Sequence, residues 1–283
     1  MKLTLTKILG VLLIVSVMFV LALPAILHKA GLHPEYTGQS FILSNDKKAL
    51  IIGTNHKILS APGEKTGDPT GAAISEISHP YYTFLDAGMQ VDVASILGGE
   101  IPVDPQTLSR MMITNHDKRY LDDAALQAKM RSSIPIKDID FTQYDTIFLA
   151  GGWGAAYDLG YSVELGAKIS EAYYGQTTII GGVCHGVLGL IKALDDSGNP
   201  LIAGRKMTGV TDKQIKELGI TQTPMHPETE LRKAGAIFES ATAFQDFLAT
   251  HVTVDLEQRF VTGQNQNSGL EAAHQIVALL AQK

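Results

Sequence analysis

The chain opens on an unbroken apolar run. From Ile8 to Leu27 no residue is charged, and a helix of that length spans about 30 Å, the thickness of a bilayer's hydrocarbon core. Lys2 and Lys7 precede the run and His28 and Lys29 follow it, a pattern shared by signal anchors and signal peptides. Cleavage needs small residues at the −3 and −1 positions, and the nearest alanines, Ala25 and Ala30, have Leu23 and His28 at −3. A buried core helix is the third reading. It would need a deep core, because the run is apolar on every side. The pattern therefore predicts an uncleaved single-pass anchor, with the N-terminus in the cytoplasm and the large domain outside, which in a bacterium means the periplasm. Residues 1–34 read as the anchor and the start of a tether, 35–47 as tether, and 48–283 as one domain.

From Lys48 onward, short apolar runs alternate with helical spacing. Ala49-Leu50-Ile51-Ile52 ends in Gly53, as buried parallel strands do. Val91 to Ala94 and Thr146 to Ala150 repeat the pattern, and Thr177 to Ile180 enters Gly181-Gly182. Further strands are expected at Ala236–Phe238, Val252–Val254 and Phe260–Thr262. Helices are expected over Ile74 to Ala87, Glu164 to Tyr174, from the second Gly-Gly pair to about Leu194, and over Ser268 to Gln282. This βα succession predicts an α/β fold: an open, mostly parallel sheet with helices on both faces. In such sheets ligands bind beyond the carboxyl ends of the strands.

Composition narrows the chemistry. With 45% hydrophobic and 18% charged residues the chain can bury a core and is not a disordered polymer. Residues 1–34 carry lysines and no acid, so the rest is more acidic than the overall net charge of −6. An acidic body without a basic run argues against nucleic acid as a partner. The single cysteine excludes an internal disulfide framework and a Cys-rich zinc site. His56, His116 and His251 lack ligand spacing, so no metal is expected.

That cysteine stands in a telling place. Gly182-Val183-Cys184-His185-Gly186 follows an apolar strand and opens the next element, the G-x-Nu-x-G pattern of a nucleophile elbow. The glycines allow a sharp turn that exposes the nucleophile, and the first N–H groups beyond it can stabilise a thiolate or an oxyanion. His185 is then a candidate general base, and its backbone N–H a candidate oxyanion donor.

These residues resemble the A-x-C-H-G elbow of the ThiJ/PfpI family, within the class I glutamine amidotransferase-like superfamily. Other landmarks follow in order: Thr70-Gly71-Ala72 with Glu76 and His79-Pro80-Tyr81; Val91 to Ser95 with Gly98-Gly99; Gly151-Gly152-Trp153-Gly154 with Asp158-Leu159; and Thr208-Gly209-Val210-Thr211. The resemblance covers about residues 48–282 and is closest to the branch with an inserted cap, which holds heat-shock chaperones and glutathione-independent glyoxalases. It implies a flavodoxin-like sandwich. It also implies that Glu76 shares a proton with Cys184, and that the N–H groups of Gly152 and His185 form an oxyanion hole, with Gly151 needed for the turn.

Two positions depart from the family pattern. Trp153 replaces the usual loop histidine at the pocket rim. The acid that usually orients the elbow histidine falls at Ile215, leaving Asp212 and Glu217 as nearby but out-of-register candidates. His226-Pro227-Glu228 looks like the H-x-E of true glutamine amidotransferases, but it comes too early in the chain and reads better as a turn before a helix. The resemblance implies a Cys-dependent enzyme on small reactive aldehydes, converting methylglyoxal to lactate without glutathione or any other organic cofactor. A peptidase or amidase with the same nucleophile, and a chaperone or thiol-based redox protein, remain as alternatives, and a homodimer remains an option for assembly.

Overall fold

The computed structural model describes residues 5–175 and 177–283, so Lys2, one of the charges flanking the apolar run, lies outside the described residues. The run itself forms helix α1, Leu5–Lys29. Its large side chains point outward, Leu13 and Met18 being 67% and 64% exposed. It is the one helix among the described residues that is long and apolar enough to cross a membrane.

The domain is built on seven strands. In chain order these are β1 Lys48–Gly53, β2 Gln90–Ser95, β3 Ile134–Pro135, β4 Thr146–Leu149, β5 Ile179–Val183, β6 Val252–Val254 and β7 Phe260–Gly263. Their order across the sheet is β6-β7-β5-β4-β1-β2-β3. Every pairing is parallel except β6 with β7, which is antiparallel at the edge. The helices are α2 Ile74–Asp86, α3 Asn115–Asp122, α4 Ala124–Arg131, α5 Ala155–Asp158, α6 Val163–Gly175, α7 Asp212–Leu218, α8 Pro227–Lys233 and α9 Gly269–Leu280.

Side chains alternate across a strand, and here both sides are covered. Ile51, Val93 and Phe148 pack with α2 and α9 on one face. Leu50, Ile52, Leu149 and Ile180 pack with α6 on the other. Chain direction across the sheet reverses between β1 and β4, and this switch point opens the crevice in which α/β sheets hold ligands.

Three expectations need correction. The segment after β5 is a 3-10 helix, Cys184–Leu190, and not an α-helix running to Leu194. With three residues per turn, Gly186 and Gly189 fall on one side. Both lie against Leu149, where a methyl on Gly186 would sit 2.2 Å from the Leu149 carbonyl oxygen. The expected strand at Ala236–Phe238 does not join the main sheet: Ile237–Phe238 pairs with Lys206–Met207 in a separate ribbon. The stretch 35–47 has no regular structure, as a tether would, yet it lies along the domain. Leu32 is fully buried, Tyr36 stacks on His274 at 3.7 Å, and the Leu43 N–H donates to the Ala87 carbonyl at 2.7 Å.

Gly186→Ala is expected to lower stability by about 1–3 kcal/mol, the usual cost of overpacking. Gly269→Ala, where no atom outside the helix lies within 4 Å, should be neutral or slightly stabilising. Urea unfolding of both variants measures the contrast.

Candidate active site

Strand β5 delivers Cys184 beyond the sheet. Val183 is still extended, and Cys184 then takes φ 56°, a left-handed conformation that few non-glycine residues adopt. A cysteine held this way points its thiol out of the strand and into the crevice. Such strain persists only where the surroundings enforce it, and here Cys184 is buried as part of the hydrophobic core.

Glu76 comes from the first turn of α2 and is 1% exposed. It lies near enough to Cys184 for each side chain to act on the other's proton affinity. Its Oε2 accepts the Gly151 N–H at 2.8 Å. The family resemblance had assigned Gly151 to the turn, but the turn belongs to Gly152, at φ 90°. Gly151 is a glycine because a methyl there would meet Glu76 Oε2 at 2.6 Å and the His185 N–H at 2.8 Å. Sequence pattern gave no sign of this role, since two adjacent glycines look alike until the chain folds. The backbone N–H groups of His185 and Gly152 act on the Cys184 sulfur and partly oppose the effect of burial on the thiol.

Burial dominates the electrostatics. It pushes the Glu76 carboxyl up to about 8, against the lowering effect of the hydrogen bonds it receives. Burial, and then the charge of Glu76, push the Cys184 thiol well above its ordinary range. Burial, and then His226, hold His185 down to about 3. At neutral pH the site is therefore uncharged, with protons on both the acid and the thiol and a neutral imidazole beside them. His185 Nδ1 lies 3.4 Å from Sγ, ready to accept the thiol proton as a bond forms.

The orienting acid is not in place. His185 Nε2 has no protein hydrogen-bond partner among the described residues. Its ring instead lies 4.9 Å from the Trp153 ring, centroid to centroid. Asp212 accepts from Thr229 Oγ1 at 2.7 Å and sits 3.7 Å from His226 Nδ1. Glu217 accepts the Asp246 N–H at 2.8 Å and lies 3.4 Å from Lys213 Nζ. Neither touches His185. His226, read from the sequence as part of a turn, occupies the N-cap position of α8 without a capping side-chain bond, and its charge opposes the protonation of His185.

The residues brought together line a cavity of about 200 Å³. Cys184, Glu76, His185, Gly152 and Trp153 share its wall with Met112, Val210, Leu218, Ile220 and Phe247. That is below the roughly 300–1,000 Å³ typical of drug-sized ligands, so the space suits a compound of a few heavy atoms. His33 also lines it, a residue no sequence signal connected to the elbow. Among the described residues no group of three His, Cys, Asp or Glu side chains is placed to hold a metal ion.

A mostly parallel sheet with a strained cysteine past its fifth strand and a buried glutamate beside it defines a cysteine-elbow α/β protein. The chain belongs to the DJ-1/PfpI family, whose sequence profile matches residues 70–278. It is 27% identical over 216 residues to glyoxalase 3 of Candida albicans, covering 75% of this chain and 90% of that one. It is 23% identical over 243 residues to the glutathione-independent glyoxalase hsp3101 of Schizosaccharomyces pombe, covering 82% and 95%. Among solved structures, the rapid encystment protein REP24 of Francisella tularensis superposes with a TM-score of 0.75 at 31% identity, covering 83% of this chain and 99% of that one.

These shifts predict how stability depends on pH. His33, His79 and His185 titrate near 3 and His274 near 4 when folded, against about 6.5 unfolded. The unfolded chain then binds more protons between those limits, so stability falls as pH drops below about 6.5. Glu76 has the opposite sign: folded near 8 and ordinarily 4.5, it makes the native state lose stability as pH rises from 4.5 to 8. Asp158, raised to about 6 by burial, acts the same way at lower pH. Four histidines outweigh two carboxyls, so the unfolding midpoint should peak near pH 6.5 and decline toward pH 8. Trp153 fluorescence during denaturation reads it, and Glu76→Gln should flatten the decline on the alkaline side.

Proposed function

We propose that the chain is a glutathione-independent glyoxalase that converts small 2-oxoaldehydes, methylglyoxal to lactate, with Cys184 as the nucleophile. The observation that carries this reading is the thiol–carboxyl pair held uncharged in a small, largely apolar cavity. The names of the relatives point the same way. In this mechanism Sγ adds to the aldehyde carbon while its proton passes to His185 Nδ1, giving a hemithioacetal. Glu76 and His185 then carry the hydrogen of the aldehyde carbon, as a proton, to the neighbouring carbonyl carbon, while the hydroxyl proton on the former aldehyde oxygen passes to the ketone oxygen, leaving a thioester beside a secondary alcohol. The aldehyde carbon is oxidised and the ketone carbon reduced within one molecule, so no external oxidant is required. Water hydrolyses the resulting thioester, releasing lactate and the free thiol. The N–H groups of Gly152 and His185 would hold the oxyanion at each addition. The size of the cavity disfavours a peptide substrate, which weighs against the amidase alternative.

We also propose that α1 anchors the protein in a membrane with the domain on the far side from the cytoplasm. The support is its uncharged length and outward-facing apolar surface.

The full chain in detergent is expected to consume methylglyoxal and release lactate. Cys184→Ala should abolish turnover, because the covalent route is gone. Asp212→Asn and Glu217→Gln should each cost at most about tenfold, about 1.4 kcal/mol, since neither side chain reaches His185. A loss at either as deep as at Cys184 would mean an orienting acid is engaged during turnover, and the two-residue mechanism would be wrong. For the anchor, the protein should sediment with membranes, and protease outside the cytoplasmic membrane should remove the domain; protection until lysis would reverse the topology.

A further inference from the structure

Behind the catalytic cavity lies a second one of about 700 Å³, between the end of α1 and the region of α2 and α3. His28, His79, His116 and His274 line it, and His33 belongs to the walls of both cavities. His33 is held there at some expense. Gly31, at φ 111°, turns the chain back after α1, and Leu32 is fully buried as a hook. His33 itself sits at φ 47°, left-handed for a residue with a side chain. Its N–H donates to Asn267 Oδ1 at 2.8 Å across 234 residues of sequence. The ring is 7% exposed, and neither nitrogen meets a hydrogen-bond partner among the described residues. Its ring neighbours are His79 at 5.8 Å and His28 at 6.0 Å. A strained backbone and an unsatisfied buried imidazole each cost free energy, and both fall on one residue facing the nucleophile's cavity.

We propose that His33 is a substrate-binding residue that donates a hydrogen bond to the second carbonyl oxygen of a 2-oxoaldehyde whose aldehyde carbon is at Cys184. The proposal rests on the glyoxalase reading and names the residue that would hold the second oxygen of its substrate. Such a substrate brings two oxygens into a cavity with one oxyanion hole. The first is met by the N–H groups of Gly152 and His185 beside Sγ. The second needs a separate donor. Among the side chains of the wall, His33 is the one whose polar atoms are all buried without a partner among the described residues. Burial and neighbouring His79 keep it neutral, so it offers one N–H and one lone pair and adds no charge to an uncharged site.

The test compares methylglyoxal with propanal, which has a single carbonyl, on the full chain in detergent. Two readouts are taken: kcat/KM for methylglyoxal, and the concentration of each compound that half-protects Cys184 from alkylation by iodoacetamide. His33→Gly suits the left-handed backbone and removes the ring; His33→Phe keeps the ring volume without a donor; His33→Asn tolerates the backbone and keeps an N–H. Wild type should be protected more strongly by methylglyoxal than by propanal. Both His33→Gly and His33→Phe should weaken methylglyoxal protection about tenfold with propanal changed less than about twofold, as loss of one hydrogen bond predicts, and His33→Asn should recover part of the preference. If one of the donor-free variants fails to fold, the other still decides the matter. An equal change for both compounds, an unchanged ratio, or no preference in wild type would overturn the proposal. Protection without lactate release would instead count against the glyoxalase reading and leave the binding role of His33 standing.

Discussion

A carboxyl and a thiol share one buried pocket, and the surrounding structure is arranged to keep them there. Glu76 could not remain buried without the Gly151 N–H, and that N–H can reach it only because position 151 has no side chain. The same closeness brings the His185 backbone to Gly151 and the Gly186 backbone against Leu149. The ends of β4 and β5 are thus pressed together by missing methyl groups, and the thiol is positioned as a consequence. Burial raises the affinity of both groups for protons, so the resting site holds them there.

This explains why a complete triad is dispensable for the reading given above. An orienting carboxylate beside His185 would favour the imidazolium. Here the ionisable neighbour that acts on the ring by its charge is His226, which disfavours it, and Asp212 lies 3.7 Å from His226. The imidazole remains a neutral acceptor 3.4 Å from sulfur, and the glutamate supplies the second proton-handling group. Trp153, in place of the usual rim histidine, packs against His185 and removes another ionisable side chain from the cavity.

Much of the fold was legible because strand runs such as Ala49 to Ile52 are long, apolar and closed by glycine. The elbow was legible because its pattern is local. What stayed hidden was non-local. The 3-10 geometry after Cys184 depends on how closely two glycines approach Leu149. The division of labour between Gly151 and Gly152 depends on where α2 places Glu76. The small ribbon at Ile237–Phe238 carries the same β-forming residues as a sheet strand, and only its partner Lys206–Met207 distinguishes it. His33 was invisible for the same reason: its anchor, Asn267, lies at the other end of the chain.

The burial of Leu32 has a mechanical consequence. Leu32, its side chain locked in the domain, comes three positions after Lys29, the end of α1, and extended chain covers only about 10 Å in that distance. As a membrane anchor, α1 would be a post and not a leash. The face carrying His28, Lys29 and the larger cavity would ride at the headgroup layer, unable to swing away or turn toward the bulk. Molecules diffusing along the lipid surface would then meet the histidine-lined side of the catalytic wall before any other part of the protein.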